Sequence, residues 1–172
     1  MDINPIETFY QGYKFRSRLE ARWAVWLDSL NLIWEYEKEG FVLDGTPYLP
    51  DFWIESWNSW VEIKPRVREQ ESIGHDRCID LSKLKACRCL LVSGNPWRQE
   101  HSVIVCEKGY TVYVGEFTEI GIWQPGFVGL GVCNTTNETW YPLDSFDHPL
   151  LDTAFNSARS ARFEHGEKGS TL

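Results

Sequence analysis

Residues 48–65 read YLPDFWIESWNSWVEIKP, two runs of aromatic and β-branched residues on either side of a short polar turn. Such runs favour extended strands, and so short a turn makes them neighbours in one antiparallel pair. Alternate residues of a strand share a face, so Glu62 and Lys64 point one way while Val61 and Ile63 point the other. The pairing brings Asp51 close to Glu62 at the strand end. Two carboxylates drawn together repel unless a cation lies between them, and all-oxygen ligation suits Mg²⁺ or Mn²⁺. Any fold of this chain must bury the aromatic residues and still hold two acids and a lysine at one place.

The elements around this pair follow from local pattern. Ser17-Arg18-Leu19-Glu20 has the S-x-x-E form of a capping box, and Leu19, Trp23, Trp26, Leu27 and Leu30 recur at helical spacing. The spacing predicts a helix to about Asn31. Short strand-like runs at 33–36, 41–43, 48–54 and 60–64, separated by breakers, predict an antiparallel meander. Residues 76–87 have a helical pattern and Cys89-Leu90-Leu91-Val92 reads as a fully buried strand, so a crossover to a parallel neighbour is expected. The order predicts an α/β fold with a mixed central sheet flanked by helices. Residues 102–141 are strand-like and glycine-rich, with no chemistry legible in them, and 150–163 form an expected last helix. Residues 164–172 are expected to be a disordered tail.

The chain of 172 residues is expected to be one domain, able to bury roughly two-thirds of its unfolded surface without disulfides or a structural metal. Its five cysteines lack C-x-x-C pairs, and His75, Cys78, Cys87 and Cys89 have unusual spacing for zinc, so reduced, buried thiols are expected. No apolar run approaches the roughly 20 residues of a membrane span, and a cytosolic location is expected. A net charge of −8 argues against nonspecific coating of nucleic acid, which depends on neutralising phosphates. The charge is uneven, however, with Lys14, Arg16, Arg18 and Arg22 set against Glu20 alone.

Pro50-Asp51 and Glu62-Ile63-Lys64, at the joint of two strands and followed by a helix and a buried strand, resemble the pattern of the PD-(D/E)XK nuclease superfamily. Glu20 matches the acid that members commonly add from a preceding helix. The resemblance covers about residues 17–93 and is nearest to transposon end-cleaving subunits and small phage endonucleases. It implies a restriction-endonuclease-like core, carrying here a β-rich C-terminal extension and the terminal helix. It also implies a hydrolase, a DNA endonuclease dependent on Mg²⁺, with Mn²⁺ able to substitute, leaving 5′-phosphate and 3′-hydroxyl ends. Such an enzyme would be phage- or transposon-encoded, work in a bacterial host cell in recombination, replication or repair, and act alone, as a homodimer or with a protein partner. By that resemblance Asp51, Glu62 and the Ile63 carbonyl hold the metal. Lys64 orients the attacking water or stabilises developing charge, and Glu20 ligates through water or positions a second ion.

Other readings of the same residues stay open. Glu20 as the fourth residue of a capping box can serve only the helix end. Glu62 and Lys64 can be a same-face ion pair worth under about 1 kcal/mol. Lys14, Arg16, Arg18, Arg22, Arg66 and Arg68 are candidate nucleic-acid contacts or solvated charges, as are Arg159 and Arg162 on the last helix. Most tryptophans are expected in the core, with Trp57 at the turn tip placed to lie exposed and touch substrate. A catalytically inactive nuclease-like module that binds DNA or protein is the competing function.

Overall fold

The computed structural model describes residues 5–65, 72–97, 101–115 and 149–163. An N-terminal hairpin, β1 (Thr8–Tyr10) and β2 (Tyr13–Phe15), leads into helix α1 (Arg18–Ser29). Ser17 caps α1 in extended backbone and accepts the Glu20 N–H, as the S-x-x-E pattern predicts. Leu30 and the left-handed Asn31 (φ 56°) end it. Strand β3 (Trp34–Tyr36) follows, then β4 (Phe41–Leu43), β5 (Thr46–Tyr48), β6 (Phe52–Ile54), a 3₁₀ turn (Glu55–Trp57) and β7 (Ser59–Lys64). Helix α2 (Ser72–Lys85) connects β7 to β8 (Arg88–Gly94). Strands β9 (His101–Glu107) and β10 (Tyr110–Gly115) and helix α3 (Pro149–Ser160) complete the described elements.

The fold is mixed α/β around one mixed sheet of order β10-β9-β8-β7-β6-β3. β7 and β8 are parallel and the other neighbours antiparallel, so the helix between two buried strands makes the crossover that the sequence predicts. Alternation assigns the two faces. Val61, Ile63, Leu90, Val92, Val103 and Val105 join the core built on α1 and α3. Trp60, Cys89, Leu91, Ile104 and Cys106 join Cys78 and Leu81 of α2 on the other side. A strand with apolar residues on both sides must be covered on both, which is why β8 reads as an unbroken apolar run. β9 and β10 extend this same sheet, while residues 116–148 and 164–172, with the expected tail, lie outside the described residues.

Two expectations need correction. The predicted meander is not one sheet: β4 and β5 form a separate hairpin, and β6 pairs with β3 across the gap they leave. The Asp44-Gly45 turn, with both residues at positive φ, gives the tight reversal that pairs β4 with β5. Pro50, which lacks an N–H, then interrupts the run 48–54 and separates β5 from β6. The second correction is Trp57, which is buried in the α1-side core instead of exposed. The 3₁₀ turn folds it inward, and Asn58 in the left-handed region turns the chain into β7.

Candidate active site

The β6–β7 register pairs Phe52 with Val61, and one residue further sets Asp51 opposite Glu62. Both acids are buried, at 5% exposure each. The Asp51 carbonyl accepts the Glu37 N–H at 2.9 Å, which prolongs the β3 ladder to the end of β6. Its Oδ2 accepts the Ile63 N–H at 2.7 Å, and its Oδ1 accepts from Arg16 Nη2 at 3.3 Å. Within an extended strand the N–H and C=O of one residue point to the same side. The Ile63 carbonyl therefore faces the same flank as Asp51, ahead of the first residue of β6.

Glu62 is held by different groups. Lys64 Nζ donates to its Oε1 at 2.5 Å, as alternation along β7 predicts, and the Tyr48 hydroxyl donates to Oε2 at 3.2 Å. Burial alone would lower the Lys64 pKa, but the charge and hydrogen bond of Glu62, helped by Asp51, outweigh it and raise it. Lys64 is thus an ammonium at neutral pH. Burial among the Cys78 and Cys89 thiols and beside Glu62 and Asp51 pushes the Tyr48 hydroxyl far up, so it remains a donor.

Glu20 sits on the first turn of α1 in its own network. The Ser17 and Tyr36 hydroxyls each donate to it at 2.6 Å, and the Arg16 N–H at 3.2 Å. The capping-box reading holds in modified form, since the carboxylate bonds the Ser17 hydroxyl and the Arg16 amide. Its charge still acts on Asp51. Among the described residues no group of three or more His, Cys, Asp or Glu side chains is gathered as a metal site. The acids facing each other are Asp51 and Glu62, with Glu20 one hydrogen-bonded step behind.

Asp51 carries the electrostatic strain of this arrangement. Burial opposes its ionisation first, and Glu62 and Glu20 add to it; the Ile63 N–H and Lys64 oppose the shift without cancelling it, so its pKa lies well above the ordinary value. In the metal-free protein a raised carboxyl pKa means that stability falls as pH rises from about 4, the unfolded value, to the folded one. Asp51→Asn removes that load and keeps an oxygen for the Ile63 N–H, at the loss of the long, half-exposed contact from Arg16 Nη2. It is expected to stabilise the metal-free protein at pH 7 by about 0.5–2 kcal/mol, at the expense of the site. The gain should vanish below about pH 4. Thermal melts of both proteins at the two pH values check this, and equal melting at pH 7 contradicts it.

The donor set fits a hard divalent cation. Its groups are oxygen atoms, and an added positive charge would relieve the repulsion that burial imposes on Asp51. Asp51, Glu62 and the Ile63 carbonyl are the groups that would hold it, as the sequence pattern implies.

The candidate nucleic-acid residues have different partners. Arg16 contacts Asp51 and pairs with Glu37 at 2.6 Å, while Lys14 pairs with exposed Glu7 at 2.7 Å. Arg18 and Arg22 lie half-buried on α1, where Arg22 and Arg159 each approach the Trp97 ring at 5.8 Å. Arg162 is exposed after α3. Arg66 and Arg68 lie outside the described residues. Cys78, Cys87, Cys89 and Cys106 are free, buried thiols, as expected; Cys133 lies outside the described residues.

Sequence reasoning missed Tyr36, Tyr48 and Arg77. The two tyrosines read as ordinary strand aromatics, and only tertiary contact puts their hydroxyls on Glu20 and Glu62. Arg77 of α2 lies over the Tyr48 ring at 5.6 Å, and nothing in its neighbours along the chain marks it.

No protein-family model matches this chain and no curated protein matches its sequence, so the resemblance over residues 17–93 rests on these residues themselves.

Proposed function

We propose that this protein is a Mg²⁺-dependent DNA endonuclease of the PD-(D/E)XK type, with a restriction-endonuclease-like core. The observation that carries the reading is the facing pair Asp51 and Glu62, both buried, with Lys64 bonded to the second acid. A chain that needed only stability has no reason to bury two acids face to face, because each loses hydration and repels the other.

A divalent cation held by Asp51, Glu62 and the Ile63 carbonyl would supply Lewis-acid polarisation of the phosphodiester and a more acidic water. The chain's own part is positioning and charge. The Ile63 N–H orients Asp51 and the Tyr48 hydroxyl orients Glu62. Lys64, an ammonium with three donors and no acceptor, donates to an oxygen that gains charge instead of taking a proton. Glu20 fixes Arg16 and Tyr36 at the mouth of α1, and Arg16 in turn partly neutralises Asp51. In-line attack then leaves 5′-phosphate and 3′-hydroxyl ends.

The test is incubation with supercoiled, linear, branched and single-stranded DNA in Mg²⁺ or Mn²⁺. Cleavage of at least one form is expected, with none in chelator. Measurable metal binding without cleavage of any form would favour the second reading, a catalytically inactive nuclease-like module that binds DNA or protein. One observation favours that alternative: each oxygen of the two acids already has a donor within the protein.

A further inference from the structure

A second group of positive charge converges on the acid pair from α2. Gly74 and Arg77 are three residues apart and share a helix face. A Cβ placed on Gly74 would lie 3.8 Å from Lys64 Cε, so the lysine stem runs alongside this turn of α2. Arg77 on the same face holds its guanidinium 5.6 Å from the centre of the Tyr48 ring, whose hydroxyl bonds Glu62. Among the described residues Arg77 forms no ion pair, whereas Lys64 and Arg16 both have acids.

Lys64 already has Glu62 as its counter-ion, whereas Arg77 has no acid among the described residues and is left to take an external anion. Arg77 is half-buried, so its position is set by packing on Tyr48 and not by hydration alone. A planar guanidinium with five donors matches two oxygens of a phosphate at once, and an ammonium beside it can take a third.

We infer that Arg77, with Lys64, forms a phosphate seat at the mouth of the site, in which the Arg77 guanidinium donates to the non-bridging oxygens of a DNA phosphodiester. The Tyr48 ring holds the guanidinium in place, and through Glu62 the same tyrosine links the seat to the acids. The inference deepens the endonuclease reading and rests on it for the identity of the substrate, but the seat itself is a separate property of α2 and β7.

Two measurements on the full chain test it. In the first, inorganic phosphate is titrated into wild-type protein without metal, and the Arg77 Nε–H resonance, assigned by through-bond correlation to its own side chain and backbone, is followed by NMR. A saturable shift of that resonance is expected, and a resonance that does not move overturns the seat without requiring any variant to fold. In the second, a labelled short duplex is bound in Ca²⁺. Arg77→Gln should weaken binding about 10-fold and reduce the slope of log K against log salt by about 0.9, while Arg77→Lys recovers part of both. Metal affinity, read by calorimetry, should not fall in either variant. If wild type cleaves DNA and Arg77→Gln binds and cleaves equally well, the seat is refuted and the endonuclease reading stands. If wild type cleaves no DNA yet phosphate shifts Arg77, the seat stands and the endonuclease reading fails.

Discussion

Glu62→Gln is expected to abolish cleavage and to weaken Mn²⁺ binding by at least about 10-fold, or about 1.4 kcal/mol. The substitution keeps the shape of the side chain and one oxygen for Lys64, while its amide can donate to the Tyr48 oxygen, so the buried position remains satisfied. What it removes is the charge. In the endonuclease reading that charge holds the cation opposite Asp51, and its loss should lower the cleavage rate by about 10³-fold or more, about 4 kcal/mol of transition-state stabilisation. If the two acids were merely structural, the variant would relieve repulsion on Asp51 and leave metal affinity as it was. Calorimetric titration of Mn²⁺ into both proteins separates the two cases, and equal affinities would end the metal-site reading. Melting curves recorded alongside show whether the variant is folded.

Lys64→Met should produce the opposite division of effects. The methionine fills the space of the aliphatic stem beside Gly74 but removes the ammonium from Glu62 Oε1. Cleavage should fall by about 10²–10³-fold, the usual loss when one donor to a developing negative charge is deleted. Metal affinity should hold or rise, because a competing cation has left the carboxylate. A parallel fall of cleavage and metal affinity would show that Lys64 acts by keeping Glu62 in place and not on the reacting group. The same-face ion pair considered from sequence makes a third outcome, a change of under about 1 kcal/mol in stability with neither metal nor DNA affected.

Glu62 and Lys64 are placed by local spacing, whereas their partners are not. The capped helix α1, the β7–α2–β8 crossover and the alternation of Glu62 and Lys64 against Val61 and Ile63 all follow from periods of 3.6 and 2 over short windows. Run 48–54 was less transparent. Its strand formers predict one strand, yet Pro50 divides it and β5 pairs with β4. Trp57 went inward because a 3₁₀ turn, rather than an open loop, joins β6 to β7. In sequence Arg16 is one basic residue among several candidate phosphate contacts, but the approach of α1 to the start of β6 puts it on Asp51 and Glu37.

From the chain alone came the identity and order of the acids and the lysine, and the strand on which Glu62 and Lys64 share a side, because backbone geometry repeats every two residues and depends on nothing distant. The folded arrangement decided which groups attend them: Tyr36, Ser17 and the Arg16 amide for Glu20, Tyr48 for Glu62, Arg16 for Asp51, and Arg77 over the tyrosine ring. Those contacts join residues up to 35 positions apart, as with Arg16 and Asp51. Their selection follows from how α1, α2 and the β4–β5 hairpin close over the sheet to bury apolar surface, a sum over the whole core that no short window of sequence contains.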